Sequence, residues 1–161
     1  MLVRSRSRAH RSLIAAGLLA AAATLALSAR GASGATAVAA RTLTLNEHGS
    51  LHLTSHHGFH LNEQGTTTGT IRGSIYIHLN VSSTNHVTAE VSIYPSNGSL
   101  TGNGTANYRS EGGHATFSGT LTISRGTGTY ARAHASRLSF SGTIQRSNDA
   151  TTVHVGGPLS Y

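Results

Sequence analysis

Five histidines fall within thirteen residues: His48, His52, His56, His57 and His60. Imidazole binds zinc, copper and nickel, and it titrates near neutral pH. On a helix, positions 48, 52, 56 and 60 would share one face, which is a metal-ligand arrangement. The flanking residues do not read as helix. Leu43 and Leu45, Leu51 and Leu53, and Phe59 and Leu61 alternate with polar residues, and Gly49 and Gly58 interrupt the run. A hairpin turning near Thr54–Gly58 is therefore expected. His52 and His60 would then point outward, across from each other, with His56 and His57 at the tip. His52, His56, His57 and His60 are the candidate metal ligands. A physiological site needs three or four convergent groups with supporting hydrogen bonds. The other readings are solvent-facing histidines on a lysine-free chain, or a response to pH between about 5 and 7.

The remaining chemistry is sparse. There is no cysteine, which excludes disulfides, thiolate metal sites and a cysteine nucleophile. All 12 basic residues are arginine, so a lysine Schiff base is excluded too. Asp149 is the single aspartate, and no Gly-x-Ser-x-Gly elbow is present. Beside Asn148 it reads as part of an Asx turn. Paired carboxylates would have to come from Glu47, Glu63, Glu90, Glu111 and Asp149. Each of these reads as solvated surface. Arg72, Arg125, Arg132, Arg137 and Arg146 would bind an anion only if they converged. Gly98–Gly104 is glycine-rich but no helix follows it, so it does not read as a phosphate cradle. No cofactor is expected, and the catalytic residues stay unassigned.

Charge is informative once it is located. Five arginines lie in the first thirty residues. From residue 38 on, seven arginines face five acids, an excess of two rather than the whole chain's +7. The basic stripe that a nucleic-acid partner requires is absent.

Residues 1–12 are basic and polar, Leu13–Leu27 is an unbroken run of apolar and small residues, and SARGASGATAVAA follows. This is the order of a secretory signal peptide. At 15 residues the apolar run is short for a membrane span. Ala-x-Ala triplets place cleavage at Ala37 or Ala39, with Ala37 preferred, so 1–37 is read as the signal peptide. There is no twin-arginine pair, which points to the general secretory route. The protein is expected to be secreted or held in the cell envelope. Membrane contact is expected only through an uncleaved leader. An exported chain without cysteine fits a bacterial origin.

About 120 residues then remain for one small core. Their dominant period is two. Ile71, Gly73, Ile75, Ile77, Leu79 and Val81 form one apolar phase. Val87 to Ile93, Ala115 to Ile123, Leu138 to Ile144, and Val153 with Val155 form others. Pro95 stops a strand, and Asn97-Gly98, Gly112-Gly113 and Asn148-Asp149 mark hairpin turns. Only Thr129–Ser136 could make a turn of helix. Seven or eight antiparallel strands of this kind expose two edges unless they close. The expected fold is all-β, a closed barrel of about eight antiparallel strands after a signal helix. Tyr76, Tyr94, Tyr108, Tyr130, Phe117 and Phe140 are the aromatic residues available to wall its interior.

The run from Ile123 to Ala135, ISRGTGTYARAHA, carries a further pattern. It resembles the Gly-Gly-Thr-Gly-x-aromatic-x-x-Ala-x-Gly loop of plant dirigent proteins and allene oxide cyclases. Gly126, Thr127, Gly128, Tyr130 and Ala133 match; Arg125 and Ala135 replace the first and last glycines. The span 42–161 also looks like a group of small secreted actinobacterial proteins. The resemblance implies an eight-stranded barrel in which this loop is structural, and it carries over no catalytic residue.

Three functions are compatible with these features. The first is a non-enzymatic module that binds an apolar small molecule or a surface polymer. The second is a cyclase or dirigent-type enzyme that orients a reactive molecule in the barrel, which needs little acid–base machinery. The third is a structural or homo-oligomeric surface protein. An ordered polar group inside an open barrel would favour the second; a filled barrel with an apolar outer patch would favour the third.

Overall fold

The structure is a computed structural model that describes residues 40–83 and 85–161. The expected leader, 1–37, lies outside them. Eight strands follow one another: β1 (Thr42–His57), β2 (His60–Gly69), β3 (Gly73–Ser83), β4 (His86–Pro95), β5 (Gly98–Glu111), β6 (His114–Gly128), β7 (Ala135–Gln145) and β8 (Ala150–Ser160). Each strand pairs antiparallel with its neighbours in sequence, and β8 returns to β1, so the sheet closes into a barrel. Closure removes both edges, which is the expected solution for strands of this length.

The two-residue period decides which side chains enter. Ile75, Ile77 and Leu79 of β3 are buried, as are Val87, Val91 and Ile93 of β4. They form one core with Leu100, Phe117, Leu121, Leu138, Phe140 and Val155 from the following strands. The sequence FSGT occurs twice, at 117–120 in β6 and at 140–143 in β7, and the Phe117 and Phe140 rings meet at 5.1 Å. Intervening residues such as Thr88, Glu90, Thr120 and Ser139 face outward and are exposed.

The two ends of the barrel differ. At one end lie the β1–β2, β3–β4, β5–β6 and β7–β8 connections; we call this the mouth. At the other end, the segment between β6 and β7 folds inward. Tyr130 and Ala133 are buried there, and the Tyr130 ring packs on Tyr161 at 5.4 Å. Thr129–Ser136 forms no helix. Its amides make short backward bonds, Tyr130 to Thr127 at 3.0 Å and Ala133 to Tyr130 at 2.8 Å, in a run of turns. A Cβ on Gly126 would sit 2.1 Å from the Tyr130 carbonyl, and Gly128 has φ +59°. The loop's glycines therefore act through close approach and a left-handed turn.

Candidate functional site at the barrel mouth

The histidines do not gather as expected. The β1–β2 hairpin turns at Gly58 and Phe59, with His57 paired to His60. With the turn there, His56 lies opposite Leu61, and His52 lies opposite Gln64 rather than His60; the bulge between Leu53 and Ser55 changes the partner of His52 by a single residue. All four candidate ligands are exposed. Among the described residues, no three histidine or carboxylate side chains come together to hold a metal. A different pair forms further along β1. His48 faces His154 across the β1–β8 ladder, with ring centroids 4.8 Å apart, and His154 Nε2 lies 3.0 Å from Asn46 Oδ1.

The acidic residues correct the sequence reading more sharply. Glu90 and Glu111 are exposed as expected, but Glu47 and Glu63 are each only 2% exposed. Both sit on the inward phase of their strands. Glu47 follows Leu45 and precedes Leu51 on that phase; Glu63 follows Leu61. Alternation places them inside, whatever their charge.

Their surroundings differ. Glu47 Oε1 accepts the Ile71 amide at 2.7 Å, and its Oε2 accepts the Thr67 hydroxyl at 3.2 Å. Burial pushes its carboxyl above the ordinary glutamate range, and these two bonds pull it back in part. Glu63 has neither: both of its oxygens lack a hydrogen-bond partner in the protein, and so does the buried Thr151 hydroxyl. Burial pushes the Glu63 carboxyl up. The nearby Thr151 hydroxyl counteracts this without reaching hydrogen-bonding geometry, and the Asp149 charge adds to the rise.

Glu63 lies one inward position below Leu61, and Leu61 lines a cavity at the mouth. This cavity has a volume of about 320 Å³. Its wall is apolar: Leu61, Leu79, Val81, Val87, Ala115, Phe117 and Ile144. Tyr108, Arg146 and Asp149 complete the rim. Arg146 is tethered there, donating from Nη2 to the Tyr108 hydroxyl at 3.2 Å and to Ser110 Oγ at 2.6 Å. Asp149 has φ +52°, and the Asn148 carboxamide oxygen accepts the Ala150 amide at 3.2 Å. The Asx bond of this turn thus belongs to Asn148. An apolar chamber with a few converging polar groups is the ordinary form of a small-molecule site.

The other sequence candidates lie elsewhere. Tyr76 and Tyr94 do not wall the interior; they meet edge-on at 5.6 Å and line a groove on the outer face with Ser74, His78 and Ser92. Arg125 and Arg132 share a groove beside the loop at the closed end, while Arg146 stands at the mouth. Gly98–Gly104 is part of β5. Gly126, Thr127, Gly128, Tyr130 and Ala133 belong to the closed end. The buried carboxylates were accessible in principle, since the leucines of β1 and β2 already set the phase.

Fold and site together define the class: a small, closed, up-and-down antiparallel β-barrel, sealed at one end and open at the other. No family model, curated protein or solved structure matches the chain.

Proposed function

We propose that this chain is an exported binding module that takes an apolar small molecule at the barrel mouth. The observation that carries this reading is the apolar mouth cavity, with the buried, unpartnered Glu63 one inward position from its wall residue Leu61. Export rests on the basic, apolar and small-residue order of residues 1–37. The likeness of Gly126, Thr127, Gly128, Tyr130 and Ala133 to the dirigent and allene oxide cyclase loop supports the same architecture. It says nothing about the ligand.

A neutral apolar fluorophore such as Nile red tests the site. Saturable, one-to-one binding to the mature chain is expected. Ala115→Trp, which fills the mouth, should abolish it while the chain stays folded. Unsaturable binding, or binding indifferent to Ala115→Trp, would remove the proposal.

One observation favours a second reading, an enzyme of the cyclase or dirigent sort. Glu63 is an ordered ionisable group beside an apolar chamber, where a carboxyl can exchange a proton with a bound molecule. Acid–base turnover works best with a second group across the substrate. The charged residues of the cavity, Arg146 and Asp149, stand at its exposed rim. Binding is therefore placed first. Appearance of a chemically altered ligand during incubation, lost in Glu63→Gln, would reverse that order.

A further inference from the structure

Three polar atoms under the mouth are buried without protein partners: Glu63 Oε1, Glu63 Oε2 and Thr151 Oγ1. Thr151 is 1% exposed and lies opposite Ile144, a residue of the cavity wall, in the β7–β8 ladder. Glu63 is set among apolar neighbours in its ladders, Leu53 on one side and Ile77 on the other. An ionised carboxylate in such a place is costly unless it is paired and hydrogen-bonded. A neutral carboxyl there has only the Thr151 hydroxyl nearby, and that pair leaves acceptor oxygens unmet. The site is therefore incomplete in either protonation state.

We infer that the mouth binds an amphiphilic cation, an apolar body ending in a primary ammonium group that sits against Glu63 and Thr151. This deepens the binding reading above and rests on it. The count of groups supports it. A primary ammonium has three N–H donors, and three buried polar atoms on strands that also line the cavity, through Leu61 and the Ile144 partner of Thr151, have no partner. A hydroxyl head supplies one donor and leaves two acceptors unmet. A carboxylate head supplies none and meets like charge. The rim agrees with the count. Asp149 is close enough to Glu63 to act on its charge, so two acids serve the site. Arg146 keeps its charge, and Tyr108 and Ser110 hold its Nη2 at the exposed rim. The apolar wall then holds the body of the ligand, and the carboxylate selects its head.

A matched series separates head from body. Octylamine, 1-octanol and octanoate compete with Nile red for the mature chain at neutral pH. Octylamine is expected to bind at least about tenfold tighter than octanol, with octanoate weakest. Glu63→Gln should bring octylamine down to the level of octanol and leave octanol within about twofold. Asp149→Asn should weaken octylamine by a smaller factor, because its charge acts at a distance. Equal affinities for amine and alcohol would overturn this inference and leave the apolar mouth standing. Tightest binding of octanoate would overturn it in favour of Arg146 as the selecting group. Failure of Nile red and of all three competitors would instead overturn the binding reading itself.

Discussion

Glu47 and Glu63 are the same residue, equally buried, on adjacent strands of one barrel, yet only one of them is satisfied. Glu47 receives a backbone amide and a hydroxyl. Glu63 receives nothing in hydrogen-bonding geometry. Glu47 lies toward the sealed end and Glu63 toward the mouth. Burial alone therefore does not assign a role. A buried carboxylate with its bonds made is part of the fold. One with its bonds unmade, next to a chamber, is a place where stability has been given up.

The largest effect is expected at Glu47. Glu47→Ala leaves the Ile71 amide and the Thr67 hydroxyl unpaired in the interior and opens a void. A loss of about 2–4 kcal/mol is expected from these effects together. Denaturant unfolding measures it; a loss under about 0.5 kcal/mol would mean that the Glu47 bonds hold nothing together.

At Glu63 the sign reverses. Glu63→Leu removes a buried carboxyl without partners and adds apolar volume in its place. The chain is expected to gain about 1–2 kcal/mol at neutral pH, as replaced buried charges often do. The same unfolding experiment checks it. A variant less stable than the parent would show that Glu63 is structural after all, and the contrast with Glu47 would be lost.

The smallest effect is the dependence on pH. An ordinary glutamate titrates near 4.5, and both carboxyls lie above that in the folded chain. Folding thus favours their neutral forms. Their stabilising contribution is complete below 4.5 and is lost as pH rises through the raised values. The melting temperature should climb as pH falls from neutral toward that point. Glu63→Gln should flatten the climb, since it removes one of the two titrations. A profile that falls over the same range, or is unchanged in Glu63→Gln, would contradict the assignment.

Much of this fold was legible because β3, β4, β6 and β7 bury aliphatic and aromatic residues at every second position. Their period and their turn residues agree. The strands β1 and β2 were harder. Their inward phase reads Leu45, Glu47, Gly49, Leu51 and then Leu61, Glu63, Gly65, Thr67, so polar and small residues stand where a core is expected. Residue type argued for the surface, position argued for the interior, and position won. The histidine register differs from the expected one because the hairpin turns at Gly58 and Phe59, beyond the middle of Thr54–Gly58. The bulge at Leu53–Ser55 adds one further residue of shift, which leaves no mark on a short hydrophobic pattern. The mouth cavity was not legible at all, because it depends on how far Phe117, Tyr108 and Ile144 reach, which a one-dimensional period does not contain.

The closure of β1 on β8 has a consequence for how the polypeptide could be rewired. Arg41 and Tyr161 exchange two backbone hydrogen bonds, each 2.8 Å long. Every other ladder joins strands that are consecutive along the chain. The barrel is thus a ring of hairpins in which one link happens to lack a loop. A circular permutant, with 161 joined to 41 by a short linker and new ends placed between β4 and β5, keeps all eight ladders. It changes only which loop closure is local and which is distant, and so alters the order of assembly more than its end point.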